Sequence, residues 1–113
     1  MQREVEKYLY DILNCIENIE NFTSGQDEIT CLNNIMLQQA VERNLEIIGE
    51  AMSCILKIDK QIGITDARRM VDTRNKLIHS YDQIQLDIVW KIIKTHIPVL
   101  KQEIQILLEI KNE

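Results

Sequence analysis

The chain has 113 residues and a net charge of −5, with 3 glycines, 1 proline and 5 aromatic residues. This length predicts one domain over residues 1–113, and so few glycines and prolines exclude an all-β sandwich or barrel, whose turns depend on them. The negative charge argues against a protein that binds nucleic acid through a broad basic face. Residues 1–30 carry this whole net charge and residues 31–113 are neutral overall, whereas residues 66–80 are locally basic.

The cysteines and the hydropathy pattern indicate the cellular location of the protein. Cys15, Cys31 and Cys54 are odd in number and lack the spacing of a disulfide framework or a zinc site. No run approaches the ~18 apolar residues of a membrane span. We therefore expect reduced thiols, no metal, no membrane association and a cytoplasmic location.

The first helix is predicted over residues 3–22, where apolar side chains recur at intervals of three and four. A polar break that contains Gly25 follows it. A second helical pattern extends from about Asp27 to Ile58, with an irregular first turn or two. It is apolar on more than one side, which is typical of the central helix of a bundle.

The third helix is predicted after a loop over residues 57–63. Thr65 is expected to cap it, and the helix extends from about Asp66 to His79 or Ser80. A favourable Asp66 in the first turn supports this start, because an acid there complements the helix dipole.

The final helical region begins at about Leu86 and contains Pro98. A proline inside a helix removes one backbone hydrogen bond, so it must kink or restart the helix, with Thr95 as the cap of the second piece. Four main helices with short connections predict an all-α fold, an up-and-down bundle of four to five helices.

Arg74 lies in the middle of the apolar face of the third predicted helix. At 100° per residue, the apolar residues of this helix fall within about 60° of it on either side: Met70, Val71, Leu77, Ile78 and Tyr81. A guanidinium there must reach solvent, pair with a carboxylate, or face a cleft for an anion. One interpretation is an ion pair with an acid of the second helix, such as Glu46 or Glu50. The other is a pocket shared with Asn75 and His79.

The second interpretation has a definite chemistry. Arg74 supplies a planar clamp for an anion, and His79 can transfer protons near neutral pH. Asn75 and His79 lie together at the edge of the apolar stripe, one helical turn apart. This set of residues suits a phosphodiester better than most substrates.

The segment from Arg74 to Tyr81, RNKLIHSY, resembles the Arg-x-x-x-x-His-x-Tyr motif of the HepT-like toxins of the HEPN superfamily. Residues 40–51, which end in Ile-Gly-Glu-Ala, resemble the second helix of that family. Residues 86–93 resemble the start of its last helical region, so the likeness covers nearly the whole chain.

This resemblance implies a HEPN-like bundle that is the toxin of a toxin–antitoxin module. The toxin would be a metal-independent endoribonuclease without a cofactor, and a homodimer that cleaves RNA in a cleft at its interface. Arg74 would stabilise the charge on the scissile phosphate, His79 would act as general acid or base, and Asn75 would orient His79. A nucleotidyltransferase antitoxin would neutralise it by adenylylation of Tyr81, which adds bulk and negative charge.

The residues leave two other functions open. A non-catalytic HEPN-type module would bind a nucleotide, or act as the helical partner of a nucleotidyltransferase, with Arg74 and His79 holding a phosphate. A purely structural helical dimer would use Arg74 only as an ion-paired core residue. His96 is expected at a partly exposed helix end rather than as a metal ligand, and Trp90 as a core or interface anchor. The acidic first helix is expected to be a solvated face, with docking to a basic patch of the antitoxin as the alternative.

Overall fold

The computed structural model describes the backbone of residues 1–79 and 86–111 and the side chains of residues 1–78 and 87–109. Every regular element within these ranges is helical, so the predicted all-α bundle is confirmed. The helices are α1 (Arg3–Thr23), α2 (Glu28–Leu32), α3 (Ile35–Ile58), α4 (Ala67–His79), α5 (Leu86–Lys91) and α6 (Ile97–Lys111), and a π-helical turn, Ile92–His96, joins α5 to α6. None of these helices has both the length and the apolar composition that a bilayer span needs.

The core is built around α3, which packs against α1 on one side and α4 on the other. This position explains why α3 is apolar on more than one face, as its sequence predicts. The α6 helix closes the bundle against α1. The large side chains with almost no exposure are Leu9, Ile12, Ile16, Ile19, Leu45, Ile48, Met52, Ile55, Met70, Leu100 and Ile104.

The helical pattern predicted from Asp27 onward is divided into two elements. Asp27 Oδ1 accepts the N–H of Thr30 at 2.7 Å and caps α2. Asn34 Oδ1 accepts the N–H of Leu37 at 3.0 Å and caps α3. Asparagine competes with helical hydrogen bonding in helix interiors and is preferred at caps, which explains the break.

The predicted cap at Thr65 is wrong. The α4 helix begins at Ala67, so the residue before it is Asp66. The Thr65 hydroxyl and backbone N–H instead donate to the Glu103 carboxylate at 2.8 and 3.0 Å. Asp66 Oδ2 lies 3.1 Å from His96 Nδ1. These two contacts join the start of α4 to the last helical region and so fix where α4 begins.

The predicted kink or restart at Pro98 takes the form of a π turn that ends just before α6, and the predicted Thr95 cap is wrong because Thr95 lies inside this turn. The backbone stays helical through a π turn, in which the Ile97 N–H donates to the carbonyl of Ile92. Both residues that flank the turn, Lys91 and Ile97, have α-helical backbone angles. A π turn widens the helix by one residue, so the chain continues past Pro98, which has no N–H to donate.

Candidate functional site

The α3 and α4 helices meet at Gly49, the glycine of the Ile-Gly-Glu-Ala segment. A Cβ atom at this position would overlap the Cβ of Arg74 and lie 2.6 Å from the carbonyl oxygen of Met70. Glycine is therefore the residue that lets the two backbones approach this closely. The approach places Arg74 beside Glu50, the residue that follows Gly49.

Arg74 is held by two oxygen atoms of the protein. Its Nη2 lies 2.6 Å from Glu50 Oε2, and its Nη1 donates to Asn75 Oδ1 at 2.9 Å. The Arg74 side chain is 27% exposed and that of Glu50 is 58% exposed, so this ion pair lies at the surface. The predicted ion pair between Arg74 and an acid of the second predicted helix, now α3, is confirmed for Glu50. The other candidate acid, Glu46, pairs with Arg43 at 3.1 Å.

The guanidinium of Arg74 keeps donors for a further acceptor. It has five N–H groups, and the contacts to Glu50 and Asn75 engage two of them. Its Nε is buried and has no hydrogen-bond partner among the residues that the structure describes. A buried donor without a partner costs ~1–3 kcal/mol.

An open cleft of about 260 Å³ lies against Arg74, between α1, α3 and α4. Its polar and aromatic lining consists of Tyr8, Asp11, Arg43, Glu46, Glu50 and Arg74. Interaction with the nearby Cys54 thiol raises the pKa of Tyr8, whose side chain lines the cleft. The cleft is therefore a mixed-charge opening with one aromatic side chain in its lining.

Of the other predicted site residues, the structure places Asn75 and the backbone of His79 on α4. His79 is the last residue of that helix, five positions after Arg74. Its side chain and the whole of Tyr81 fall outside the described residues, as does the predicted turn at residues 82–83. Asn75 is brought to Arg74 by the contact above, and the predicted contact between Asn75 and His79 stays a prediction.

His96 and Trp90 are held by contacts with other residues of the fold. His96 lies at the end of the π-helical turn, is half-buried and pairs with Asp66. Trp90 is half-buried, with Lys94 Nζ 4.7 Å from its ring centroid, and lines a small apolar cavity beside α2. In the described part of the chain, no three His, Cys, Asp or Glu side chains are grouped closely enough to hold a metal ion.

Comparisons with known proteins agree over most of the chain. Residues 12–107 match the family described as Ribonuclease HepT-like. A provisionally named RNase of Methanocaldococcus jannaschii is 38% identical over 107 residues, which cover 94% of this chain and 98% of that protein. A provisionally named ribonuclease HepT of Thermococcus cleftensis is 40% identical over 102 residues, or 89% of this chain and 93% of that one.

A solved structure has the same fold. It is a tri-AMPylated HEPN toxin of Shewanella oneidensis in complex with an MNT antitoxin. The two chains superpose with a TM-score of 0.73 and 25% identity over the full length of both.

Proposed function

Because this chain belongs to the ribonuclease HepT-like family, we propose that it is the RNA-cleaving toxin of a toxin–antitoxin pair. The family predicted from the Arg74–Tyr81 motif is confirmed by the match over residues 12–107, and the predicted enzyme class, a ribonuclease, is that of the family. The observation that carries the proposal is Arg74, half-buried at the edge of an open cleft, where Glu50 and Asn75 engage only two of its five N–H groups.

Arg74 and His79 divide the chemistry of the cleavage. The ribose 2′-hydroxyl loses its proton to a base and attacks phosphorus, and the 5′ oxygen leaves with a proton from an acid. Arg74 stabilises the negative charge that develops on the phosphate oxygens, and His79 supplies one of the two proton transfers. Asn75 holds Arg74 and orients His79. With a second histidine for the other proton transfer, side chains supply the charge and both proton transfers, so the reaction needs no metal.

Two copies of the chain complete the site. Cleavage needs both a base and an acid, and the motif of one chain contains one histidine, His79. A homodimer that brings two motifs to one interface supplies both groups. Each chain, residues 1–113, acts as one domain in this dimer.

The partner is a nucleotidyltransferase antitoxin that modifies Tyr81. The solved relative is AMPylated and is bound to an MNT antitoxin, and Tyr81 lies two residues after His79 in the motif. An adenylate there adds bulk and negative charge beside the groups that receive the RNA phosphate. Toxin and antitoxin meet in the cytoplasm, where the RNA substrate is.

The test is RNA cleavage by the purified protein, with and without a metal chelator. We expect the wild type to cleave in both conditions, and Arg74→Ala and His79→Ala to lose at least about 100-fold in rate. The control is Arg69→Ala, since Arg69 lies on the same helix and pairs with Asp66 instead. Full activity of Arg74→Ala, or loss of wild-type activity with chelator, contradicts the proposal. Wild-type RNA binding without cleavage supports instead the non-catalytic HEPN-type module.

Modification is tested by intact mass after co-expression with the nucleotidyltransferase. We expect one or more adenylate adducts on the wild type and none on Tyr81→Phe. Tyr10→Phe is the control, because Tyr10 is an exposed tyrosine of α1. Adducts that persist on Tyr81→Phe assign the modification to another residue.

A further inference from the structure

A basic groove lies where the end of α3, the loop after it and the start of α4 meet. Its volume is about 550 Å³. The charged residues that line it are Lys57, Lys60 and Arg68, all of them cations. Such a groove is notable in a chain with a net charge of −5.

Three acids flank the groove in sequence or by contact and keep their negative charge, but each is held by a hydrogen bond or ion pair to another group. Asp59 Oδ1 accepts the N–H of Gln61 at 3.0 Å, and Asp66 pairs with His96 at 3.1 Å. Glu103 binds Thr65, as described above. Among the described residues that line the groove, none carries a carboxylate.

Arg68 has one carboxylate close to it, on its own helix. Its Nε lies 3.6 Å from Asp72 Oδ1, and its side chain is 75% exposed. Exposed pairs of this kind are worth little and are screened by salt. The guanidinium of Arg68 is thus available to a phosphate in the groove.

The cleft beside Arg74 has the opposite electrostatic character. Three of its lining residues are the carboxylates Asp11, Glu46 and Glu50, against the two cations Arg43 and Arg74. An RNA strand that crossed this cleft would bring its phosphates next to carboxylates. The electrostatic preference therefore directs the strand from Arg74 toward the basic groove.

The spacing along both helices places the groove within reach of the same strand. Lys57 follows Glu50 by seven residues, so the two lie on one face of α3, about 10 Å apart. Arg68 precedes Arg74 on α4 by six residues, or about 9 Å. At ~3.4 Å or more per nucleotide, a strand held at Arg74 enters the groove after about two or three nucleotides.

We propose that this groove binds the phosphate backbone of the RNA substrate, two or three nucleotides from the bond that is cut. The proposal rests on the ribonuclease function proposed above. Lys57, Lys60 and Arg68 neutralise successive phosphates and release their counterions. Affinity then comes from a local patch on an otherwise acidic protein.

The test is binding of a 2′-O-methyl hexanucleotide, which cannot be cleaved, at several salt concentrations. Lys57→Gln/Lys60→Gln is compared with Lys91→Gln/Lys94→Gln, which removes the same charge from the region of α5. We expect the first variant to raise Kd about tenfold and to reduce the slope of log Kd against log salt by about 1.4, or ~0.7 per lost contact. The second variant should stay close to the wild type. Cleavage of a dinucleotide, which is too short to reach the groove, should be unchanged in both.

The outcomes separate this proposal from the catalytic one. Equal Kd values for the wild type and Lys57→Gln/Lys60→Gln, or an equal loss in both double variants, overturns the groove as an RNA site. A variant that binds RNA normally but fails to bind the nucleotidyltransferase makes the groove a docking site for protein, which also overturns it. If the wild type cleaves no RNA but shows the expected binding difference, the groove stands and the catalytic proposal fails.

Discussion

Glu50 holds Arg74 through an ion pair, 2.6 Å between Oε2 and Nη2, that joins α3 to α4 at the edge of the cleft. This contact has two opposing effects on an RNA substrate. It orients the guanidinium, and it also places a negative charge beside the position that the phosphate must occupy.

Replacement of Glu50 by Gln should separate these effects. Glutamine keeps the shape and one acceptor oxygen but removes the charge. We expect KM for RNA to fall a few-fold, because the repulsion of the phosphate is lost. We expect kcat to fall about tenfold, since Arg74 is less firmly positioned. Steady-state kinetics on a defined RNA measures both, and Glu50→Asp, which keeps the charge on a shorter side chain, is the comparison. An unchanged kcat would show that Glu50 does not position Arg74.

Replacement of Arg74 by Ala should cost little stability. A buried ion pair loses ~3–5 kcal/mol when one partner is removed, but the Glu50 side chain is 58% exposed, and exposed pairs are worth ~0–1 kcal/mol. We expect the free energy of unfolding to fall by about 1–2 kcal/mol, mostly from the aliphatic part of Arg74 that packs at Gly49.

Urea denaturation measures this loss, and Arg74→Met is the matched control. Methionine keeps an aliphatic side chain at the helix crossing without the guanidinium, so we expect it to retain most of the stability and to remain inactive. A loss above about 3 kcal/mol in both variants would instead support the structural role, in which Arg74 is an ion-paired core residue.

Gly49 should be intolerant of a side chain. Gly49→Ala would place a Cβ against Arg74 and the Met70 carbonyl, so α3 and α4 must separate. We expect a loss of about 1–3 kcal/mol in stability and reduced cleavage, because Arg74 moves away from Glu50.

The matched control for Gly49 is Gly63→Ala, in the loop before α4. A Cβ at Gly63 meets no atom within 4 Å, and we expect a change within about 0.5 kcal/mol. Thermal unfolding of the two variants measures the difference. Equal stability of both would mean that the helix crossing adjusts to the added methyl group without cost.

Much of this architecture could be predicted from local patterns, and what could not depends on distant contacts. The period of apolar residues identified α1 and the central α3. The position of Arg74 on an apolar face gave, as one of two interpretations, an ion pair with Glu46 or Glu50, and the structure shows the pair with Glu50. The prediction that Thr65 caps α4 is wrong because its hydroxyl binds Glu103, which lies 38 residues away in the sequence. No local sequence pattern shows such a contact.

The basic groove could not be predicted from the helical period of the sequence alone. Glu50 and Lys57 have the i, i+7 spacing of one helix face, but Lys57 falls at the end of α3, where the predicted helix and the predicted loop overlap. Only the packing of α4 against this end brings Arg68 to the same groove. The roles of His79 and Tyr81 stay predictions.

Glu42 gives a pH-dependent test of the charge distribution on α3. Burial, and then the charge of Glu46, raises the pKa of Glu42. The folded protein therefore binds this proton more tightly than the unfolded chain does, and stability falls as the pH rises through the ordinary pKa of a glutamate toward the raised value. At pH values above the raised pKa, the ionised Glu42 lowers the free energy of unfolding by a constant amount.

Glu42→Gln should remove this penalty. We expect a higher Tm than the wild type at pH 7 and no advantage at pH 3.5, where Glu42 is protonated in both states. Thermal unfolding followed by circular dichroism at the two pH values measures the difference. Glu17→Gln, at an exposed position of α1, serves as the control for the change in net charge. An equal gain from Glu17→Gln would attribute the effect to the overall negative charge of the chain rather than to the surroundings of Glu42.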